Sequence, residues 1–323
     1  MSSMQFDIDR TQWTGSGEIS QQLMAKARLK VERTIDLKYA TSREEAEHWR
    51  DRGYEPVECS FGRESVVGPL KLDHHGSLSA EEPVSIKAAR LAQQGERINK
   101  FVGAGMADSD ATYAMLVLSG LVTPSIEIAS GLAELDLDPV GLDRTREPYI
   151  REVALEMNGI PSLDLEGFIG ALAAGYFAFD ATPLSAAARE RCIEYERDRI
   201  QRGEQAIKVI DGETAFVEFN GPSRDVWHRR ASIVVQFKPA QEVLTVCGCS
   251  REAAARLQRK SVYDIFGAEG LLNLYPALDS ILGPGCGGRQ DIGGSPRGSK
   301  VTREQAVKVF NFVREQVRAL LAG

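Results

Sequence analysis

The sequence predicts an α/β protein in which a parallel-sheet domain is joined by a helical connector to a smaller, mixed α/β domain. Strand-like and helix-like segments alternate over the first half of the chain, which is typical of a parallel sheet. A charged helical segment follows, and after it the pattern changes to closely spaced strands separated by short turns. The length of 323 residues is sufficient for two such domains.

The alternating elements follow an N-terminal extension at 1–30. The apolar patterns predict strands at 34–40, 55–61, 68–72 and 101–106. They predict helices at 42–52, 83–100, 107–121 and, with Gly and Pro interruptions, 147–178. We assign these elements to a domain at 31–183, and we expect its ligands at the carboxyl ends of the parallel strands.

A connector helix is predicted at 184–204. Charged side chains of alternating sign run through 184–205, which favours an exposed helix. They include Arg189, Arg191, Glu194, Glu196 and Arg199.

The second domain is predicted at 205–323. Segments rich in β-branched and aromatic residues predict strands at 207–210, 215–219, 232–237 and 242–247. Asp211-Gly212 and the Asn-Gly-Pro at 220–222 are typical turns between them. A final helix is predicted at 302–321, and Thr302 and Gln305 form a capping box at its start.

The distribution of charge bears on the partners. The net charge is −7, but residues 1–203 carry 23 basic and 33 acidic side chains, whereas residues 204–323 carry 16 and 13. We therefore expect an anion in the C-terminal third, and not a long duplex, which requires many neutralised phosphates. No leader-like or membrane-length apolar run is present, so we expect a cytoplasmic protein without membrane contact. A homodimer remains open.

The five cysteines are an odd and scattered set, which fits a reducing compartment. Cys247, Cys249 and Cys286 allow two interpretations, a thiolate metal site or cysteines packed as small apolar residues. We favour the second, because zinc sites usually contain two paired cysteine units.

Asp73-His74-His75 follows the strand predicted at 68–72. Carboxylate and imidazole groups at a strand end are suitable ligands for a divalent cation. The alternative is an aspartate that caps a turn beside two surface imidazoles. Asp108 and Asp110 follow the next helix and strand, within the glycine- and alanine-rich segment 103–111. They favour the metal site.

In these two segments the sequence resembles the DHH phosphoesterase family. The resemblance implies that one or two Mn²⁺ or Mg²⁺ ions activate water for attack on phosphorus. It implies Asp73, His74 and His75 as catalytic residues. The metal ligands that it implies are Asp73, His74, Asp108 and Asp110.

The chain departs from the family at its first metal-binding motif. A His-x-Asp-x-Asp sequence is expected near 38–45, where the chain has KYATSREE. Glu44, Glu45 or His48 could replace it only in an unusual loop. The aspartate of the second motif would fall at 58–60, where Glu58 or Cys59 stands instead. The pair Asp7 and Asp9 is predicted to be a surface segment.

The glycine-rich segment 283–298 is the second candidate site. Its glycines allow consecutive backbone N–H groups to face an anion, and Arg289 and Arg297 suit bidentate phosphate contacts. The alternative is a turn with two solvated arginines. The segment resembles the glycine-rich motif of the domain that accompanies DHH domains, which implies substrate binding. The predicted substrate-binding residues are Gly287, Gly288, Arg289, Gly293, Gly294, Ser295 and Arg297.

Two charged segments have weaker signals. The segment 224–230 fits either a basic-aromatic ligand patch or a hairpin end with a packed Trp227. Asp136, Asp138 and Asp143 lack the spacing of a calcium loop, and we predict a solvated loop there.

Two functions follow from these patterns. The first is a metal-dependent phosphoesterase that acts on a nucleotide, a short single-stranded oligonucleotide or another small phosphate ester. The second is a non-catalytic protein that binds a nucleotide or metabolite beside a degenerate metal site.

Overall fold

The computed structural model describes residues 21–62, 64–75, 78, 82–180, 183–221, 223–248, 274–288 and 292–322. Within them the chain forms a mixed α/β structure. The helices are α1 (Gln21–Thr34), α2 (Arg43–Arg50), α3 (Val84–Gln93), α4 (Ser109–Leu118), α5 (Ile126–Leu137), α6 (Tyr149–Asn158), α7 (Leu165–Ala178), α8 (Ala186–Gln205), α9 (Arg224–Trp227), α10 (Leu274–Leu282) and α11 (Arg303–Ala322).

The strands form three sheets. Their bounds are β1 (Asp36–Tyr39), β2 (Glu55–Val57), β3 (Ser60–Phe61), β4 (Glu64–Ser65), β5 (Lys100–Gly103), β6 (Ile207–Asp211), β7 (Thr214–Glu218), β8 (Ile233–Lys238), β9 (Val243–Cys247), β10 (Gly287–Gly288) and β11 (Ile292–Gly294). The first sheet has the order β1-β5-β2, and the second has the order β10-β11-β9-β8-β7-β6. Strands β3 and β4 form a separate antiparallel pair.

The β1-β5-β2 sheet is entirely parallel and is covered on both faces. Leu37 and Phe101 pair in register and belong to the large core formed with α1 and α3 to α7. Val102, the next residue of β5, points to the other face and packs in a smaller cluster with Ala46 of α2. This alternation is the two-residue period of a strand. Because apolar side chains cover both faces of the sheet, polar groups are expected at the carboxyl ends of its strands.

The strand predicted at 68–72 is wrong. Within 68–72, only Leu72 forms a β-bridge with the sheet, in parallel to Val57. Lys71 has a φ of 50°, and its N–H donates to the Gly68 carbonyl oxygen at 3.1 Å. The backbone therefore turns just before Leu72, and this prevents a continuous strand. The strand predicted at 55–61 is likewise broken between β2 and β3.

The β10-to-β6 sheet is mixed, because β7 and β8 are parallel and its other neighbouring strands are antiparallel. Phe216 and Val235 pack against α10 and α11. Val217 and Val234 face the opposite side and pack with Trp227. The four strands predicted here and the Asp211-Gly212 turn are confirmed.

The exposure predicted for 184–205 is wrong in part. The segment is helical, but Glu196 and Arg199 are buried at 5% and 2% exposure. Arg199 donates to Glu196, Ser223 and Asp225, and these bonds tie α8 to the start of α9. The alternating charges therefore include an internal ion pair as well as a solvated face. Among the described residues, no helix has the length and apolar composition needed to cross a bilayer.

The capping box predicted at 302–305 is confirmed. The Gln305 N–H donates to Thr302 Oγ1 at 3.2 Å, and the Thr302 N–H donates to Gln305 Oε1 at 2.9 Å. Thr302→Ala is expected to lower the free energy of unfolding by about 1 kcal/mol, because the Gln305 N–H loses its acceptor. Urea denaturation measures this loss. Thr302→Ser keeps the hydroxyl and serves as the control. Equal losses in the two variants would contradict the capping role.

Glu55 makes the stability of the fold depend on pH. Its carboxyl is 6% exposed, and Oε1 accepts a hydrogen bond from the Leu70 N–H at 3.0 Å. Burial raises the pKa of Glu55 to about 7. The folded protein therefore retains a proton that the unfolded chain loses above the usual carboxyl pKa of about 4.5. The stabilisation is complete below that value and is lost as the pH rises to 7.

Glu55→Gln keeps the acceptor for Leu70 and removes the titration. Compared with this variant, the wild type is expected to lose up to about 3 kcal/mol of unfolding free energy between pH 4.5 and 7.5. Denaturation of both proteins across this range isolates the contribution of Glu55, since other titrating groups are common to both. Parallel stability curves for the two proteins would contradict the assignment.

Candidate metal centre

Asp73-His74-His75 forms a buried turn directly after Leu72. Asp73 Oδ1 accepts a hydrogen bond from the His75 N–H at 2.8 Å and lies 2.9 Å from His75 Nδ1. Burial acts to raise the pKa of Asp73, but the hydrogen bonds and charge of His75 outweigh it and lower the pKa. The ionised Asp73 thus holds the proton of His75 on Nδ1. The lone pair of His75 Nε2 is then available to bind a metal ion.

Glu58 faces His74 from the end of β2. Its N–H donates to the Leu72 carbonyl oxygen at 2.9 Å, and its φ of 51° is unusual for a residue with a side chain. Oε1 lies 3.2 Å from His74 Nε2. Burial, assisted by the negative charges of Asp108, Asp110 and Asp136, raises the pKa of Glu58 well above its usual range. A strained backbone together with a desolvated carboxyl group is typical of residues at functional sites.

Asp136 approaches His74 from another side. It lies in the last turn of α5, and its Oδ2 is 3.5 Å from His74 Nε2. The solvated loop predicted around Asp136 and Asp138 is therefore wrong, because Asp136 is helical and both side chains are only partly exposed. Asp143 is exposed, as predicted. The chain fold brings the end of α5 beside Asp73-His74-His75, and no local pattern marks this proximity.

Asp108 and Asp110 take different positions at the start of α4. Asp108 is exposed and caps the helix, with Oδ1 accepting from the Ala111 N–H at 2.9 Å. Asp110 is 1% exposed, and its Oδ2 accepts from the Ser85 N–H at 3.2 Å. Burial raises the pKa of Asp110 to about 7, and the charges of Asp136 and Asp108 act in the same direction. Asp110 is thus the more enclosed of the two predicted ligands.

The donor atoms present fit a cation. Among the described residues, Glu58, His74 and His75 have ligand atoms that all lie within 4.8 Å of one another. Glu58 Oε1, Asp73 Oδ2 and Asp110 Oδ1 are buried and accept no hydrogen bond. A buried carboxylate oxygen without a hydrogen-bond donor is costly, and a bound cation removes that cost. Imidazole and carboxylate ligands together suit Mn²⁺ and other first-row divalent ions.

The segment at 38–45 supplies no further ligand. Glu45 accepts hydrogen bonds from the N–H and hydroxyl of Thr41, at 2.7 and 2.8 Å. His48 Nδ1 lies 2.8 Å from Arg52 Nη1 on the surface of α2. Glu44 is exposed on the same helix. The metal ligands among the described residues are therefore sufficient for one ion rather than two.

A cleft of about 370 Å³ adjoins this centre. One wall is formed by the ends of β1 and β3 with the turn after β5, and the other by β9 and the glycine-rich segment. Of the Asp73-His74-His75 residues, His75 lines the cleft. The polar side chains in its lining are Tyr39, Thr41, Ser60, His75, Thr245, Ser295 and Arg297.

The glycine-rich segment contains a short antiparallel ladder. Gly287 and Gly288 pair with Gly294 and Gly293 in an antiparallel ladder, and β11 extends this ladder to β9. A Cβ atom on Gly287 would lie 2.0 Å from the Gly62 carbonyl oxygen, so glycine permits the two walls to meet. Only part of the backbone is therefore available to face an anion. Arg289 lies outside the described residues.

Ser295 and Arg297 lie farther along this wall. The Leu244 N–H donates to Ser295 Oγ at 3.2 Å, and the Ser295 N–H donates to the Leu244 carbonyl oxygen at 3.0 Å. Arg297 crosses to the opposite wall, where Nε donates to the Ser60 carbonyl oxygen and Nη2 donates to Ser60 Oγ. Its guanidinium also lies 5.8 Å from the centre of the Phe61 ring. Arg297 thus links the two walls at the cleft.

Cys247 and Cys286 are buried, which agrees with the interpretation of packed cysteines. Cys249, Asp7 and Asp9 lie outside the described residues. Trp227 is fully buried, as the packed-tryptophan alternative for 224–230 predicts. The hairpin end of that alternative is wrong, because Arg224–Trp227 is helical and the strands on either side of it, β7 and β8, are parallel.

The sequence places Glu58 at the position of the second motif, but neither Glu58 nor Asp136 is among the predicted metal ligands. Glu58 had a usable signal, because it follows a short apolar strand just as Asp73 follows Leu72. Asp136 had none beyond its position at the end of a helix. Both residues face His74 only because distant segments meet.

Comparisons of this chain with models of known families, with curated proteins and with solved structures give no match.

Proposed function

We propose that this protein is a metal-dependent phosphoesterase of DHH type. The observation that carries the proposal is the convergence of Glu58, Asp136 and two histidines at the edge of a cleft. Orphaned carboxylate oxygens beside His74 support a cation there, and Arg297 on the facing wall supports an anionic ligand. The substrate is a nucleotide, a short single-stranded oligonucleotide or another small phosphate ester.

The roles of the residues follow from their positions. Glu58, His74 and His75 would hold one Mn²⁺ or Mg²⁺ ion, and Asp136, beside His74, and Asp110 would contribute further carboxylate oxygens or charge. When bound, such an ion lowers the pKa of a coordinated water and stabilises charge on phosphoryl oxygens. Asp73 orients His75, which belongs to the ligand cluster and also lines the cleft. Arg297 can exchange its bonds to Ser60 for bonds to phosphate.

The organisation that we propose has two domains, at 31–183 and 205–323, on either side of the cleft. Buried free thiols such as Cys59 and Cys192 are consistent with a reducing cytoplasm.

Purified protein with Mn²⁺ and a panel of phosphate esters tests the activity. The panel contains dinucleotides, cyclic dinucleotides, nucleoside bisphosphates, short single strands and pyrophosphate. Asp73→Asn is expected to lower turnover by about 10- to 100-fold, because it removes the charge that orients His75. The exposed Asp143→Asn is the matched control. The proposal fails if the wild type turns over no substrate, or if Asp73→Asn is as active as the wild type.

The second candidate is a non-catalytic nucleotide- or metabolite-binding protein. The observation that favours it is that the candidates for the missing first motif bond to other residues. Glu45 accepts from Thr41, and His48 lies beside Arg52. Binding without turnover, lost in Arg297→Ala and kept in Asp73→Asn, is its expected signature. Isothermal titration with the same panel measures both properties, and measurable hydrolysis excludes this candidate.

A further inference from the structure

The short helix α9 contacts the candidate metal centre through Arg224 and Asp136, and neither of these residues lines the cleft. It belongs to the segment between β7 and β8. Trp227 is fully buried, and its Nε1 donates to the Gly203 carbonyl oxygen at 2.9 Å. Asp225, 4% exposed, accepts hydrogen bonds from Arg199 at 2.9 and 2.8 Å. These two buried anchors fix the backbone position of Arg224.

Arg224 extends from this fixed position to the end of α5. Its Nη2 donates to the Asp136 carbonyl oxygen at 3.0 Å and to the Leu135 carbonyl oxygen at 3.4 Å. A cation at the C-terminus of a helix satisfies carbonyl groups that lack helical partners and complements the helix dipole. The same Nη2 lies 3.7 Å from Asp136 Oδ1. Arg224 thus contacts both the backbone and the carboxylate of Asp136.

The two carboxylate oxygens of Asp136 face different groups. Oδ1 faces Arg224, and Oδ2 lies 3.5 Å from His74 Nε2, which in turn lies 3.2 Å from Glu58 Oε1. A contact chain therefore runs from Arg224 through Asp136 to His74 and Glu58. The side chains of Arg224 and Asp136 are only 18% and 20% exposed, so water screens their attraction less than on an open surface.

We propose that Arg224 is a positioning residue for the metal centre, which holds the Asp136 carboxylate in the orientation that His74 and a metal ion require. The inference rests on the proposed metal centre, but it does not require phosphoester hydrolysis. It also assigns a role to α9, since a segment of the C-terminal half then determines how well a centre in the N-terminal half binds its ion.

A helix cap and a positioning residue make different predictions. A cap alone stabilises α5, so its loss lowers stability and leaves the metal affinity of the folded protein unchanged. A positioning residue changes the affinity as well, because a misoriented carboxylate must be ordered when the ion binds. Supporting partners of metal ligands typically contribute about 10- to 100-fold in affinity.

The test compares Arg224→Gln, Arg224→Lys and the control Arg303→Gln. Arg303 lies in the same half of the chain and pairs with Glu218 at 2.6 Å, with 65% of its side chain exposed. Mn²⁺ binding is measured by calorimetry on protein that circular dichroism shows to be folded. We expect about 10- to 100-fold weaker binding in Arg224→Gln and a smaller loss in Arg224→Lys, which keeps the cation. Arg303→Gln is expected to match the wild type within about twofold.

A second measurement covers the case in which the wild type does not bind Mn²⁺, which would contradict the proposed function. In the metal-free protein, the imidazole ¹⁵N resonances of His74 report its surroundings, and those of the exposed His48 serve as an internal reference. We expect the His74 resonances to move in Arg224→Gln and Arg224→Lys but not in Arg303→Gln. The inference is overturned if they are unchanged in the Arg224 variants, or if folded Arg224→Gln binds Mn²⁺ as tightly as a wild type that does bind it.

Discussion

Glu58→Gln is expected to weaken Mn²⁺ binding by at least about 100-fold and to lower any metal-dependent turnover with it. The substitution keeps the size of the side chain and removes its charge. Glu58 Oε1 lies 3.2 Å from His74 Nε2, and it accepts no hydrogen bond. An amide in this place is a much poorer ligand for a hard cation than a carboxylate.

The same variant is expected to be more stable than the wild type in the presence of chelator at neutral pH. Burial raises the pKa of Glu58, so the folded metal-free protein must retain a proton or bury a charge, whereas the unfolded chain ionises freely. The amide has no such cost. Opposite changes in metal binding and in metal-free stability are the signature of a residue selected for function over stability.

Calorimetry with Mn²⁺ and thermal unfolding with and without chelator measure these two effects. Glu55→Gln is the matched control, since it makes the same chemical change at a buried carboxyl in β2, three residues before Glu58. It is expected to bind Mn²⁺ like the wild type. Equal metal affinity in Glu58→Gln and Glu55→Gln would remove Glu58 from the centre.

Arg199→Ala is expected to lower the free energy of unfolding by about 3–5 kcal/mol. Arg199 is 2% exposed and donates to both oxygens of Glu196 and of Asp225. Burial acts to lower the pKa of Arg199, but these carboxylates outweigh it and raise the pKa. Removing the guanidinium takes the hydrogen-bonded cation from two buried carboxylates, although Glu196 keeps an ion pair with Arg144 at 3.5 Å, and this is far more costly than losing an exposed pair.

Arg202→Ala, one turn farther along α8, provides the control. Arg202 pairs with Asp198 at 2.7 Å, but the two side chains are 49% and 59% exposed, so a loss of at most about 1 kcal/mol is expected. Urea denaturation of both variants measures the difference. Losses within about 1 kcal/mol of each other would show that the buried pair contributes no more than the surface pair.

Most secondary-structure elements could be predicted because their signals are local. The β-branched and aromatic residues of β7, β8 and β9 and the reciprocal side chains of Thr302 and Gln305 depend only on neighbours in the chain. The strand at 68–72 failed for an equally local reason, the left-handed conformation of Lys71, which its residue type does not indicate.

The candidate site was predictable only where the chemistry of its residues is unusual. Two adjacent histidines after an aspartate, and closely spaced glycines with arginines, are rare enough to be noticed in a single sequence. The sequence around Glu58 and Asp136 has no feature as unusual as these. They become members of the centre because β2 ends beside Leu72 and because α5 ends beside His74.

The sequence by itself determined the α/β class, and it identified Asp73-His74-His75 and the glycine-rich segment as the two candidate site segments. The tertiary structure decided which carboxylates meet His74, that Arg199 is internal, and that Arg297 bridges the cleft. The physical reason is the distance along the chain over which each kind of interaction acts. Backbone periodicity and capping act over a few residues, whereas burial and charge pairing depend on which distant segments the packed core brings into contact.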